Sequence, residues 1–227
     1  MFSGITHVFL DVDNTLLDFE AGAKEASFLA LSRAGIDAER FDYAVFTEEN
    51  NALWAALERG EITREDIHRT RWERVFSRLG IEADGEAFEP VFLSAIPECV
   101  VQVDGAREIL EYLSARYTVC AASNAPHAQQ LSRLKSAGLL HFFEDVFTSE
   151  RLGAAKPSKA FFDGVFGALP AVSPSSCVMV GDSLTADVGG AAAYGLKTVF
   201  FDFKGQNPAF CPADERIWSL SELKLFL

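Results

Sequence analysis

The sequence is poor in the residues that build disulfide-linked or zinc-stabilised folds. Its 227 residues include four cysteines and four histidines, with no C-x-x-C pair and no H-E-x-x-H motif, so a structural zinc site is not expected. Cys120 and Cys177 lie inside apolar runs, where a reduced, buried thiol is the ordinary outcome. These features indicate a reducing, intracellular compartment, and we expect a cytoplasmic protein.

Long hydrophobic runs are absent as well. No segment approaches the roughly 20 apolar residues that a membrane-spanning helix needs, and the N-terminal apolar stretch at residues 7–10 has only the length of a strand. The N-terminus also lacks the basic region that precedes the apolar part of a secretory signal peptide. We therefore expect neither a signal peptide nor a membrane partner.

Positive charge is scarce relative to negative charge. Twenty basic residues face 33 acidic ones, for a formal net charge of −13, which repels phosphate backbones and anionic lipid surfaces at long range. We expect no nucleic-acid partner. A small phosphorylated ligand remains compatible, because a metal ion and a few local donors can reverse the sign of the potential in one pocket. The oligomeric state stays open.

Short apolar runs that alternate with helical stretches predict the core of the fold. Each run is rich in β-forming residues and has the length of a buried parallel strand. The predicted strands are HVFLD (7–11), YTVCAAS (117–123), EDVFT (144–148), SCVMVGD (176–182) and KTVFFD (197–202). The predicted helices are 106–116, 126–137, 159–166, 186–194 and a capped helix at 219–227. This alternation predicts an α/β fold with a doubly wound, Rossmann-like parallel sheet.

The connection after the first strand is far too long for this scheme. A strand-helix-strand unit takes about 30 residues or slightly more, whereas residues 16–100 show helical periodicity and no strand pattern. We predict a core domain of residues 1–15 and 101–227, and an inserted helical-bundle cap domain of residues 16–100. Glycines divide the insertion into about four helices.

Two features support helices inside the insertion. Thr63 and Asp66 form the pattern of a capping box at a helix start, and the apolar residues that follow share one face. Aromatic residues are expected to form the core of the bundle. Those expected there are Phe28, Phe46, Trp54, Trp72 and Phe76.

The first predicted strand ends in two carboxylates. The segment DVDNT (11–15) places Asp11 and Asp13 two residues apart, at the edge of a parallel sheet where ligands collect. Two acids in one crevice repel each other, so one is easily held protonated, or both are neutralised by a hard divalent cation. The pair suits a nucleophile with an acid/base partner, although a plain polar turn has the same composition.

Other strand ends carry matching polar residues. Ser123 and Asn124 precede a predicted helix, where the hydroxyl and nearby N–H groups could hold a phosphoryl oxygen or simply cap the helix. Lys156 stands before a proline in a loop that leads into another helix. The segment GDSLTAD (181–187) adds Asp182 and Asp187. Four carboxylates with one lysine favour Mg²⁺ over zinc, because magnesium prefers oxygen ligands.

The motifs D-x-D-x-T, S-N, K-P and G-D-x-x-x-x-D follow one another in this order, with an insertion after the first. In this arrangement the chain resembles the haloacid dehalogenase superfamily over nearly all of its length. The resemblance implies that Asp11 attacks phosphorus and becomes an aspartyl phosphate, while Asp13 protonates the leaving oxygen and later activates water. Superfamily members that cleave carbon–halogen bonds lack the acid at position 13, so the resemblance favours phosphoryl transfer.

The same resemblance assigns the remaining site residues. Ser123 and Lys156, with Asn124 beside them, would bind the phosphoryl group. Mg²⁺ would be bound by the carboxylates of Asp11 and Asp182 and by the backbone carbonyl of Asp13. Asp187 would either bind the metal through water or orient Lys156. The insertion is similar to the helical caps that close over small substrates.

Within the insertion, NALWAALERGEIT (51–63) is similar to the N-x-x-L-W…G-x-I-T stretch of pyrimidine-preferring nucleoside 5′-monophosphatases of this superfamily. We therefore predict a Mg²⁺-dependent phosphomonoesterase that acts on nucleoside 5′-monophosphates, with Phe19, Asn51 and Trp54 as candidates for substrate contact. A phosphatase of phosphosugars or of N-acylneuraminate 9-phosphate, a phosphomutase and a non-catalytic binding protein remain alternatives. Leu53, Trp54 and Leu57 would equally suit the core of a cap.

Overall fold

The computed structural model describes residues 2–205, 208 and 210–227. The chain forms two compact units: the core unit, Met1–Asp18 with Val101–Leu227, and the helical unit, Phe19–Val100. The core unit extends beyond the boundary predicted at residue 15, because backbone hydrogen bonds tie the next three residues to the returning chain. The Asp18 N–H donates to the Val101 carbonyl at 2.9 Å, and the Val103 N–H donates to the Leu16 carbonyl at 3.0 Å.

A parallel sheet organises the core unit and confirms the predicted α/β class. Its strands lie in the order β3-β2-β1-β4-β5-β6. Their bounds are β1 His7–Leu10, β2 Thr118–Ser123, β3 Asp145–Thr148, β4 Cys177–Gly181, β5 Lys197–Phe201 and β6 Glu215–Ile217. The first five coincide with the predicted apolar runs. β6 was not predicted, because three residues with the sequence ERI carry no apolar run.

The helices include the predicted stretches, with two differences in type, and one short helix, Ser149–Leu152, that was not predicted. Their bounds are α1 Phe19–Ala34, α2 Tyr43–Glu58, α3 Arg64–Leu79, α4 Gly85–Ala95, α5 Ala106–Ser114, α6 His127–Ser136, α7 Ser149–Leu152, α8 Lys159–Ala168 and α9 Gly190–Tyr194. The helix predicted at 186–194 is instead a π-helix, Leu184–Gly189, that continues into α9. The C-terminal segment Leu220–Leu225 is a 3-10 helix, with Ser219 as its N-cap.

The position of β1 in the sheet determines where the core unit can bind a ligand. Although β1 is first in the chain, it lies between β2 and β4, and its Leu10 pairs with Ala121 on one side and Val180 on the other. The chain therefore builds one half of the sheet outward from β1 and then crosses to build the other half. Ligands of open α/β sheets bind beyond the carboxyl ends of the strands at such a switch point.

The helical unit packs its four α-helices around an aromatic core. Trp72 of α3 is fully buried, and its ring centroid lies 4.6 Å from that of Phe88 and 5.1 Å from that of Phe46. The predicted capping box of Thr63 and Asp66 is present at the start of α3. Phe46, Trp72 and Phe76 are buried as predicted.

Two of the aromatic residues assigned to this core do not lie inside it. Phe28 is 41% exposed and packs edge-on against Phe41 at the margin of the cluster, and Trp54 is only half-buried. The prediction was wrong for Phe28 and Trp54 because it used residue type alone. An aromatic side chain at the edge of a helical face can cover the core without entering it.

A buried ion pair lies beside this aromatic cluster. The guanidinium of Arg71 binds both carboxylate oxygens of Glu89, and its Nη1 donates to Asn50 Oδ1 at 3.0 Å. Burial raises the pKa of Glu89, and the charge of Arg71 opposes that shift. Because a charged group inside a protein must be paired and hydrogen-bonded to be tolerated, these three residues depend on one another.

Two further expectations from the sequence concerned membrane-spanning helices and the state of the cysteines. No helix in the described ranges combines the length and the apolarity that crossing a membrane requires. All four cysteines are free, and Cys120 and Cys177 are buried as expected. Burial raises the pKa of Cys120 to about 12 and that of Cys177 to about 11.

We predict that Gly85→Ala destabilises the protein. A Cβ at Gly85, the first residue of α4, would lie 2.2 Å from the backbone nitrogen of Glu73 on α3, so the two helices must separate, at a cost of about 1–3 kcal/mol. Gly167→Ala in α8 is the matched control: nothing lies within 4 Å of its Cβ position, and a gain of about 0.5–1 kcal/mol is expected. Urea unfolding midpoints measure both changes, and an unchanged midpoint for Gly85→Ala would contradict the close helix contact.

Candidate active site

Asp11 lies directly beyond the end of β1 and continues its pairing. Its N–H donates to the Val180 carbonyl of β4 at 2.9 Å, which fixes the backbone, and its side chain is buried. A carboxylate in this position stands at the switch point of the sheet and has little freedom to move. The backbone hydrogen bond and the burial of the side chain therefore hold the Asp11 carboxylate in place.

The ammonium group of Lys156 lies at the centre of the site. Its Nζ donates to Asp11 Oδ1 at 2.8 Å, to Asp187 Oδ1 at 2.6 Å and to the Ala122 carbonyl at 2.6 Å. All three ammonium protons are thus used, and the residue is 2% exposed. The contacts join the ends of β1 and β2 to the π-helix that follows β4.

Asn124 holds the loop that carries Lys156. Its Oδ1 accepts the Lys156 N–H at 2.9 Å, and its Nδ2 donates to the Lys156 carbonyl at 3.0 Å. We expected Asn124 among the phosphate-binding residues; in the structure its amide also hydrogen-bonds to the backbone of Lys156 on both sides. The next residues form a cis Lys156–Pro157 bond and the N-cap of α8 at Ser158.

Asp187 is bound on both of its oxygens. Oδ1 accepts from Lys156, and Oδ2 accepts the Ser183 N–H at 3.1 Å. A Cβ at residue 181 would lie 2.2 Å from Asp187 Oδ2, so only glycine fits at the end of β4. Asp187 belongs to the π-helix, a rare conformation that often occurs at functional sites. Asp187 thus hydrogen-bonds to Lys156 and also lies among the carboxylates that could hold a cation.

Three carboxylates lie close enough to share a cation. One oxygen each from Asp11, Asp182 and Asp187 lies within 4.8 Å of the others. Lys156 supplies one positive charge to this group, so two negative charges remain uncompensated when all three acids are ionised. An all-oxygen donor set with excess negative charge fits Mg²⁺ or a similar hard cation. The side chain of Asp13 is not part of this group.

The electrostatics of the cluster follow from burial and mutual repulsion. Burial raises the pKa of Asp11 to about 7; the charge of Lys156 opposes this shift, and Asp187 and Asp13 add to it. Burial and then the charge of Asp11 raise the pKa of Asp182 well above its ordinary value. Burial lowers the pKa of Lys156, but its two carboxylate partners outweigh this effect and raise it overall. A positive ion would favour the ionised acids.

Ser123 ends β2 with its hydroxyl turned into the site. The side chain is buried, and Oγ accepts hydrogen bonds from the Ala125 N–H at 3.1 Å and from Gln130 Nε2 at 2.8 Å. Two donors occupy the lone pairs of the oxygen, so the hydroxyl proton is available to a further acceptor. A phosphoryl oxygen is an acceptor of the required kind.

Asp13 faces α6 rather than the three-carboxylate group. Arg133 Nη1 donates to Asp13 Oδ1, and Gln130 Nε2 donates to Asp13 Oδ2 at 3.1 Å. Sequence reasoning missed Gln130 and Arg133. The available signal was a pair of polar residues three positions apart on a helix that begins just after Ser123 and Asn124.

The candidate substrate contacts of the insertion differ in exposure. Phe19, the first residue of α1, is half-buried and packs against the aromatic core of the helical unit. Asn51 is exposed and Trp54 half-buried on α2. Leu53 is buried, and Thr63 caps α3, so packing and capping account for those two positions of the motif.

Comparisons with known proteins agree with this geometry. A family model described as a haloacid dehalogenase-like hydrolase matches residues 5–195. The chain is 34% identical to the HAD-hydrolase YfnB of Bacillus subtilis over 95% of this chain and 92% of YfnB. It is 33% identical to the pyrimidine 5′-nucleotidase PynA of Streptococcus pneumoniae over 86% and 83% of the two chains. A crystal structure of YfnB bound to magnesium superposes with a TM-score of 0.92, at 32% identity, over 98% of both chains.

We predict that Asp11→Asn changes how stability depends on pH in the metal-free protein. The folded-state pKa of Asp11 is about 7 and its ordinary value is 3.8. The unfolded chain therefore releases this proton first, and wild type loses stability relative to the variant as pH rises from about 4 to about 7. The difference should reach the order of a few kcal/mol. Urea unfolding in chelator at several pH values measures it, and parallel curves would contradict the shift.

Proposed function

The chain belongs to the haloacid dehalogenase-like hydrolases and is a phosphatase, and on this premise we propose that it is a Mg²⁺-dependent nucleoside 5′-monophosphatase. The observation that carries the proposal is the buried cluster in which Lys156 bridges Asp11 and Asp187 and also donates to the carbonyl of Ala122, the residue before Ser123. It combines an immobilised carboxylate, a cation and a hydroxyl donor at the switch point of the sheet. Transfer of a phosphoryl group to a carboxylate requires these three groups.

Two aspartates carry the chemistry in this proposal. A carboxylate oxygen of Asp11 attacks phosphorus, the bond from phosphorus to the ester oxygen breaks, and Asp13 gives its proton to the departing alcohol. Asp13 then takes a proton from water as that water attacks the aspartyl phosphate. The bond between phosphorus and Asp11 breaks, inorganic phosphate leaves, and both aspartates return to their starting states.

Ser123 binds the phosphoryl group during both steps, and Lys156, whose three ammonium protons already bond Asp11, Asp187 and the Ala122 carbonyl, acts on that group through its charge. The Ser123 hydroxyl donates its proton to one phosphoryl oxygen, and the buried ammonium of Lys156 stabilises the negative charge beside Asp11. Asn124 and Asp187 keep Lys156 in place from its backbone and from its ammonium group. The donors are in position before substrate arrives, so little reorganisation accompanies the reaction.

The residues present fit a Mg²⁺ ion. We assign its ligands to the carboxylates of Asp11 and Asp182 and to the backbone carbonyl of Asp13, whereas Asp187 is occupied with Lys156 and Ser183. Bound Mg²⁺ would favour the ionised form of Asp11 and compensate the charge of the phosphoryl oxygens.

The choice of nucleotides as substrates is supported by similarity and by the surface of α2. PynA, named a pyrimidine 5′-nucleotidase, is 33% identical to this chain. In the stretch 51–63, Leu53 and Thr63 have structural tasks, whereas Asn51 is exposed and the Trp54 ring is half-exposed. An exposed amide with a nearby aromatic face suits hydrogen bonding to, and stacking on, a nucleobase.

A phosphate-release panel tests the proposal. We expect turnover with Mg²⁺ on ribo- and deoxyribonucleoside monophosphates, strongest for pyrimidines, and at least tenfold lower kcat/KM on phosphosugars and on N-acylneuraminate 9-phosphate. A chelator should abolish turnover. Asp11→Asn should lower kcat by at least about 10³-fold with the fold retained, because it removes the nucleophile.

The controls separate the alternatives. Preference for phosphosugars would reject the nucleotidase assignment and leave the mechanism standing, and an isomerised product would indicate a mutase. Folded wild type without activity on any ester would reject catalysis and favour a binding protein. Activity in well-folded Asp11→Asn would reject the nucleophile.

A further inference from the structure

We propose that Gln130 and Arg133 of α6 are positioning residues that hold the Asp13 carboxylate and the Ser123 hydroxyl in a single array. The inference rests on the proposed function, in which Asp13 moves protons and Ser123 binds the phosphoryl group. It extends that function, because it couples the acid/base residue to the phosphoryl-binding site through one helix.

The burial of the two residues is the first observation. Gln130 is 0% exposed and Arg133 is 4% exposed, although side chains of these types are mostly exposed in proteins. A buried amide or guanidinium is tolerated only where its polar atoms are hydrogen-bonded. The Gln130 amide and Nη1 of Arg133 form such hydrogen bonds at the candidate active site, far along the chain from Asp13.

The contacts to Asp13 are divided between the two residues. Arg133 Nη1 donates to Oδ1 of Asp13, and Gln130 Nε2 donates to Oδ2 at 3.1 Å. Each carboxylate oxygen therefore has its own donor, and the plane of the carboxylate is fixed. A carboxylate held by one bond could rotate, whereas one held at both oxygens presents a defined direction for proton transfer.

Arg133 also determines which way the amide of Gln130 points. Arg133 Nη1 donates to Gln130 Oε1 at 3.0 Å, and a guanidinium has no acceptor, so the oxygen of the amide must face Arg133. The NH₂ group is thereby turned toward Asp13 Oδ2 and Ser123 Oγ, the two acceptors it contacts. Loss of Arg133 would free the amide to flip and would affect both partners.

Ser123 is the second group that the array orients. Its Oγ accepts from Gln130 Nε2 at 2.8 Å and from the Ala125 N–H at 3.1 Å. These two donors leave the hydroxyl proton to a third group, which is the phosphoryl oxygen in the proposed reaction. The amide of Gln130 thus aligns the phosphoryl donor and the acid/base carboxylate together.

The test for Arg133 uses two esters that differ in their need for an acid. Cleavage of a nucleoside 5′-monophosphate releases the nucleoside through its 5′-oxygen, an alkoxide that must be protonated, whereas p-nitrophenyl phosphate releases a stable phenolate. We expect Arg133→Met to lower kcat/KM about 10²-fold on the nucleotide. The loss in kcat/KM on p-nitrophenyl phosphate should be smaller by a factor of at least ten. Arg133→Lys, which keeps the charge, should recover part of the loss. Lys135→Met, on the exposed side of α6, is the matched control.

The test for Gln130 reads out binding of the phosphoryl group. Gln130→Met should raise the inhibition constant of inorganic phosphate about tenfold, because the Ser123 hydroxyl loses its orientation, and Gln129→Met on the same helix should leave it unchanged. Melting curves verify the fold of each variant. If Arg133→Met fails to fold, Arg133→Lys takes its place in the comparison of the two esters.

The outcomes separate this inference from the proposed function. An equal loss on both esters, or no loss on either, in folded Arg133 variants of an active enzyme would overturn the role of Arg133. An unchanged inhibition constant in Gln130→Met would overturn the coupling to Ser123. A wild type that hydrolyses neither ester would overturn the proposed function itself.

Discussion

The buried ammonium group of Lys156 is the interaction on which the site depends. An unpaired charge at 2% exposure would be very unfavourable, so Lys156 requires Asp11 and Asp187, and they require it. Asn124 fixes its backbone, and the glycine that ends β4 leaves room for Asp187. Removing one member would leave the others as buried charges without partners. This mutual dependence explains why segments so distant in the chain end at one place.

The sheet brings these segments together. With β1 between β2 and β4, the residues that follow the three strands meet at one edge, and Lys156, from the loop before α8, hydrogen-bonds to groups there. A second array, built on α6, holds Asp13 and Ser123 by neutral and charged hydrogen bonds. The negatively charged cluster around Lys156 favours a cation, whereas the α6 array places donors around the Asp13 carboxylate.

Much of the fold could be predicted because its signals are local. Apolar runs predicted five strands, and the capping-box pattern at Thr63 predicted the start of α3. The failures share a cause: β6, the π-helix and the exposed ring of Phe28 depend on neighbours that local patterns do not contain. β6 pairs with β5 despite its polar sequence, and the π-helix accommodates Asp187 against Lys156.

Adjacency in the chain is enough to place chemical groups at the strand ends: it accounts for the spacing of Asp11 and Asp13, the polar residues after β2 and the acids after β4. Which of these groups hydrogen-bond to one another depends on the three-dimensional fold, because the partners come from distant segments. The side-chain amide of Asn124, for example, hydrogen-bonds to the backbone of Lys156. Gln130 and Arg133, which no motif marked, hydrogen-bond to Asp13 from the helix after β2, and such pairing has no signature along the chain.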